Sequence, residues 1–222
     1  RRSGEIQHVI FRELGKFLQP NDLLVLNETR VTPARLFARK LTSGGKVEIL
    51  LLHRQDELTW EALVFENGLS QGKRLGLLNK TMEPVPLEAE VLAVLDGSRR
   101  LVRFSEPVEA HLAAIGHVPL PPYIHAPLQD AERYQTVYAR QNGSAAAPTA
   151  GLHFTPGLID SLKAQGVQFA TVTLHVGLDT FAPVTETDPL QHQIHTEWCE
   201  LSQTVVDRIR QARQADGRVI AV

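Results

Sequence analysis

The stretch from Ala34 to about Ser105 constrains the fold most, because there the texture of the chain changes. Five segments of strand composition follow one another with almost no helical stripe: Arg35 to Leu41, Lys46 to His53, Leu58 to Phe65, Leu87 to Leu95 and Arg99 to Phe104. Ser43-Gly44-Gly45 and Asp96-Gly97 are hairpin signals, since glycine accepts the positive φ that a tight turn demands. Short strands at this spacing predict a small antiparallel barrel or sandwich. Its basic residues, Lys46, Arg54, Lys73, Arg74, Lys80, Arg99, Arg100 and Arg103, are expected on solvated strand faces.

The flanks read differently. Val9, Ile10, Leu14, Phe17 and Leu18 make a helical stripe that ends before the turn signal Pro20-Asn21-Asp22. Leu23 to Leu26 is a short apolar run expected to be buried on both faces. It delivers Asn27-Glu28-Thr29-Arg30 to its carboxyl end, where open α/β sheets place ligand groups. Val108, Leu112 and Ile115 restore helical spacing, with Gly116 as a stop, and the prolines of His117 to Ile124 stiffen an extended strut. Asp130 is placed to cap a helix carrying Tyr134, Val137 and Tyr138. Thr155 caps another, with Pro156 at its first position and Leu158, Ile159 and Leu162 as its stripe.

After Gly166, Val167 to Gly177 reads as a strand with Phe169, Thr171, Thr173 and His175 on one side. Ser202 caps a helix of Val205, Val206, Ile209 and Ala212, closed by Gly217 and followed by the strand Val219 to Val222. Strand, helix, strand predicts a parallel crossover. The expected architecture is a mixed α/β main domain of residues 1–34 and 106–222, with an antiparallel β-barrel domain inserted at 35–105.

The 222 residues, 43% hydrophobic and 22% charged, are enough for a sizeable core. A formal net charge of -2 gives no overall nucleic-acid footprint, so such a partner would need a local basic patch. A single cysteine, Cys199, excludes an intramolecular disulfide and a thiolate-rich zinc site and fits a reducing cytoplasm. No apolar run approaches membrane-span length, so no membrane partner is expected. The chain opens without Met and stops at Val222 within a strand pattern, and further residues are expected at both ends.

The chemistry concentrates in Ser144 to Thr155, twelve residues without a formal charge, mostly Ala, Gly, Ser and Thr. Small side chains let a backbone approach a ligand, and the helix start at Thr155 offers amide donors. Around it the polar groups to weigh are Asn27, Thr29, Arg30, His117, Tyr123, Tyr138, Thr149, His153, His175, Asp179, Thr180, His192, His195 and Glu197. A histidine ending a strand beside Gly177 and Asp179 can act as acid or base near neutrality. His192 and His195, three apart in a polar segment, are weak metal candidates, and no metal is expected. No nucleophile elbow, phosphate loop or H-E-x-x-H occurs. The residues by themselves stop at an α/β enzyme with a small-residue ligand loop and histidine acid–base candidates.

Five blocks carry a resemblance: Asn27 to Leu36, His117 to Ile124, Tyr134 to Tyr138, Ala146 to Phe154, and Leu174 to Gly177 continuing through Thr180 to Val184. In order and content they resemble the S-adenosylmethionine:tRNA ribosyltransferase-isomerase family of queuosine biosynthesis. The resemblance implies an α/β domain carrying an inserted β-barrel. It further implies a cytoplasmic, monomeric enzyme that consumes S-adenosylmethionine as substrate and needs no cofactor. The implied reaction moves and isomerises the ribosyl group onto 7-aminomethyl-7-deazaguanine at the tRNA wobble position, giving epoxyqueuosine-tRNA, adenine and methionine. His153 and His175 are the preferred acid–base pair; Asn27, Thr29, Arg30, Tyr123, Tyr138, Ala147, Pro148, Thr149, Ala150, Gly151, Gly177 and Thr180 are the expected substrate contacts. The competing classes are a non-catalytic RNA-binding module using the barrel, and a metal-dependent hydrolase built on His153, His175, His192 and His195.

Overall fold

The computed structural model describes residues 6–66, 69–95, 97–121, 123–124, 126, 128–177, 187–191 and 197–222. In chain order the strands are β1 (Leu23–Asn27), β2 (Thr29–Val31), β3 (Arg35–Lys40), β4 (Lys46–Arg54), β5 (Thr59–Val64), β6 (Arg74–Leu78), β7 (Pro84–Val94), β8 (Arg99–Phe104), β9 (Gln141–Ser144), β10 (Gln168–His175), β11 (Trp198–Glu200) and β12 (Val219–Ala221). The α-helices are α1 (Leu112–Ile115), α2 (Pro156–Ala164) and α3 (Gln203–Gln214). They divide into two compact units, one of Arg1–Val31, Leu128–Val176 and Thr185–Val222, the other of Thr32–Pro127 and Gly177–Val184.

In the first unit β1 is central, parallel to β10 on one side and to β12 on the other, with β11 antiparallel to β10 at the edge. Its apolar run is buried because both faces are covered. Leu24 and Leu26 pack with Phe154, Leu162 and Val167, whereas Leu23 packs with Ala170, Val205 and Ala212. Thus α2 covers one face and α3 the other, the expected crossover arrangement. A second, two-stranded sheet pairs β2 with β9.

The strand starts are tied by one buried carboxylate. Asp22, 1% exposed, accepts hydrogen bonds from the Gln19 and Arg218 amides at 2.8 and 2.9 Å. It also accepts two from the Arg218 guanidinium, at 3.1 and 2.5 Å. Nη2 of Arg218 reaches on to the Phe17 carbonyl at 2.7 Å. One ion pair therefore joins the entry to β1, the entry to β12 and the end of the first helical turn.

The other unit is a closed antiparallel barrel in the order β3-β4-β5-β8-β7-β6, with β6 returning to pair with β3. β6 lies outside the five segments read as strands because Gly76 interrupts its pattern, and glycine in a strand commonly marks close approach. A Cβ there would stand 3.1 Å from a Leu41 methyl.

The expected domain limits, 34/35 and 105/106, shift to 31/32 and 127/128. The physical reason is burial: Val108, Leu112 and Ile115 join the barrel core with Ala34, Leu36 and Ile49. Arg35 and His117 also exchange two backbone hydrogen bonds, of 3.1 and 2.8 Å.

Three helices differ from expectation. The first is a 3-10 helix, Phe11–Phe17, with no fully buried residue, and Val9 and Ile10 stay exposed. The stripe from Val108 splits into a 3-10 turn, Val108–Ala110, and the short α1. Asp130 caps as expected, accepting from the Glu132 amide, yet its helix ends at Tyr134. There the Gln135 side chain takes the Val31 amide at 2.8 Å and carbonyl at 2.9 Å, drawing the chain into extended conformation. Thr155 caps α2 through the Leu158 amide at 3.2 Å, whereas Ser202 precedes α3 without a side-chain cap bond.

Candidate functional site

The carboxyl ends of β1 and β10 meet the small-residue loop in the first unit. Asn27 is buried and its amide spans strands: it donates to the Leu174 carbonyl at 2.9 Å and accepts from the Leu174 and Thr29 amides at 3.1 Å each. That clamp lets the chain continue into β2 instead of a solvated turn. Thr29 is fully buried, and its Oγ1 has no hydrogen-bond partner among the described residues. Arg30 ion-pairs with Glu132 at the surface.

The partner of β2 is β9, whose Gln-Asn-Gly-Ser composition carries no strand propensity. At its end the Ser144 hydroxyl accepts from the Val176 amide and donates to the Ala146 carbonyl, both at 2.9 Å, and the Ala145 amide reaches the Val176 carbonyl at 2.8 Å. The loop is thus laced to the end of β10, with Ala146 and Ala147 buried beneath it.

From Pro148 the chain enters a 3-10 turn, Thr149–His153, in which Thr149, Ala150 and His153 are exposed and Gly151 is buried. Gly151 has to be glycine: an added Cβ would overlap the Tyr138 hydroxyl and stand 2.9 Å from the Thr136 methyl. Burial pushes the Tyr138 phenol up to about 12, so it is a hydrogen-bonding hydroxyl and not an anion at neutral pH. Thr136, buried beside it, has an unpartnered Oγ1 among the described residues.

Both imidazoles belong to this unit. Phe169 packs into the core that holds Phe154, and the two-residue period carries Thr171, Thr173 and His175 along the same sheet face. His153, next to Phe154, lays its ring against Phe11 at 5.1 Å between centroids. His175 packs on Trp198 at 4.9 Å, and its Nδ1 is buried without a hydrogen-bond partner among the described residues. The two rings keep separate neighbours, Phe11 for His153 and Trp198 for His175, and among the described residues no hydrogen bond joins them.

Tyr123 falls in the barrel unit and is 75% exposed, and Gly177 groups with that unit as well. His117, also there, is half-buried beside Phe37; burial first, then Lys80 and Arg35, hold its pKa below the usual histidine value. Thr180, Asp179, His192 and His195 lie outside the described residues. Sequence reasoning passed over Thr136, Gly143 and Trp198. Thr136 stands two residues before Tyr138, and Gly143 adjoins the small-residue run, so both had a local signal. Trp198 had none, because only the β10–β11 register brings it opposite His175.

These features define a chain with an α/β sheet, a small-residue loop and histidines at the carboxyl end of that sheet, and a separate antiparallel barrel. The family model described as queuosine biosynthesis protein matches residues 1–222, and the chain belongs to that family. It is 47% identical over 225 residues to the S-adenosylmethionine:tRNA ribosyltransferase-isomerase of Clostridioides difficile, covering 100% of this chain and 64% of that protein. The protein of the same description from Thermus thermophilus is 50% identical over 220 residues, covering 98% of this chain and 63% of the relative. The crystal structure of S-adenosylmethionine tRNA ribosyltransferase from Thermotoga maritima is similar at 31% identity and a TM-score of 0.37, over 100% of this chain and 58% of that one. The chain spans 64% of the Clostridioides difficile relative's length.

Proposed function

We propose that the protein containing this chain transfers and isomerises the ribosyl group of S-adenosylmethionine onto 7-aminomethyl-7-deazaguanine in the tRNA wobble position. The products are epoxyqueuosine-tRNA, adenine and methionine. The observation that carries the reading is identity of 47 to 50% to proteins described as S-adenosylmethionine:tRNA ribosyltransferase-isomerases, sustained along essentially the whole chain. S-adenosylmethionine is consumed as substrate, no cofactor takes part, and the enzyme works as a cytoplasmic monomer. Among the described residues no helix is long and apolar enough to cross a membrane.

The chemistry asks little beyond positioned acids and bases. The sulfonium acidifies the adjacent ribose carbon, so the protein supplies a base for that proton, a hydrogen bond for departing adenine, and fixed placement of the tRNA amine. His153 and His175 fill the acid–base roles. The loop Ala147–Gly151 lets the donor approach the backbone, with the Tyr138 hydroxyl beside Gly151 as a neutral hydrogen-bonding group. Asn27, through its hydrogen bonds to Leu174, holds the strand ends that carry these groups.

The test is adenine release from S-adenosylmethionine by the full-length protein, with and without substrate tRNA. Release that requires the tRNA, and falls by at least about 100-fold in His175→Ala or His153→Ala, is the expected result. Binding of tRNA with no adenine released would identify a binding module instead, and loss of activity with chelator would favour a metal-dependent hydrolase. Near wild-type turnover in both variants would remove the histidines from the mechanism.

A further inference from the structure

An acid–base role for His175 needs an imidazole held in one place, and the backbone around it is built for that. His175 is the last residue of β10 and stands directly opposite Trp198 in the antiparallel register with β11. Their rings lie 4.9 Å apart at 38°, although Trp198 is on a three-residue edge strand and 57% exposed. Gly143 of β9 meets the same ring. A Cβ at that position would overlap both Cε1 and Nδ1 of His175 and stand 3.2 Å from Nε2. Its φ of +138° belongs to a backbone region that side-chain-bearing residues rarely enter. Nδ1, the nitrogen on the glycine side, is buried without a partner among the described residues, and Nε2 is the nitrogen farther from Gly143.

We infer that Gly143 is a positioning residue: the space left by its missing side chain, together with Trp198, seats the His175 imidazole so that Nε2 is the nitrogen that exchanges a proton with substrate. This rests on the acid–base reading of His175 and adds two residues to it. Glycine here is a requirement of the ring and not only of the positive φ. A side chain at 143 displaces the imidazole by about its own radius, and a displacement near 1 Å is worth about 100-fold in rate.

The test uses full-length protein, adenine release with substrate tRNA, and the His175 ring resonances, which Trp198 shifts by ring current. Gly143→Ala should lower kcat by about 100-fold while the KM for S-adenosylmethionine stays within about threefold. It should also move the His175 ring signals toward their uncoupled positions. In a His175→Ala background the same substitution should cost less than about twofold, because the group it acts through is gone. Trp198→Leu, at an exposed edge where folding is not at stake, should lower kcat and shift the ring signals, and Trp198→Phe should recover most of both. A Gly143→Ala loss that persists undiminished in the His175→Ala background, or unaltered ring signals in Trp198→Leu, would overturn the positioning role. Wild-type protein that releases no adenine sinks the functional reading itself, whereas active wild type with an unimpaired Gly143→Ala sinks only this inference.

Discussion

Single residues in this fold work by denying space or by satisfying buried charge. Asp22 shows the second: the Arg218 hydrogen bonds, then the Gln19 and Arg218 amides, hold its carboxyl at about 2, well under the ordinary aspartate value. A carboxylate depressed on folding contributes stability above the unfolded pKa and loses it as pH falls through the folded one. Asp22→Asn should therefore cost about 2 kcal/mol at pH 7, and urea unfolding should show its gap from wild type closing between about pH 4 and pH 2. A gap independent of pH would refute the ionic origin. Gly151 shows the first: Gly151→Ala should lose about 2 kcal/mol by overpacking against the Tyr138 hydroxyl. Adding Tyr138→Phe, which deletes that hydroxyl, should return at least half of the loss in a thermal melt.

At the scale of elements, local chemistry decides where a helix starts, and tertiary partners decide where it stops. Thr155 and Pro156 specify the start of α2, and the cap bond to Leu158 is in place. Thr155→Ala should cost about 1 kcal/mol of unfolding free energy, seen as a lower denaturant midpoint at unchanged m-value, and replacement by Ser should restore it. The turn after Asp130 starts on the same kind of signal, but Gln135 leaves it to serve as a surrogate strand for Val31. A side-chain amide recruited from more than 100 positions away in sequence is invisible to any helical stripe. β9 was hidden for the complementary reason, since its pairing with β2 overrides a composition that reads as turn.

At the scale of the whole molecule the barrel is larger in sequence than its strands. Val108, Leu112 and Ile115 lie beyond β8 and still complete its core. A fragment of residues 32–127 should unfold cooperatively by circular dichroism, whereas one of residues 32–105 should lose that transition or melt far lower, each deleted core side chain being worth about 2 to 5 kcal/mol. Equal melting of the two would show that the segment after β8 is a passenger. The candidate site belongs to this scale too, because the Ser144 hydroxyl and the Ala145 amide tie the small-residue loop to Val176, at the end of β10, across more than 30 positions of sequence.

The sequence by itself determined the barrel, the buried central strand, the crossover order, the capped α2 and the family, because each is written in local composition, periodicity or long motif blocks. It also brought His153, His175 and the small-residue loop into view. The tertiary structure alone decided that Asn27 clamps strands, that the segment after β8 belongs to the barrel, and that Gly143 and Trp198 flank His175. Those outcomes depend on which distant backbones come to lie within a few ångströms of one another, and strand register and side-chain volume set that proximity.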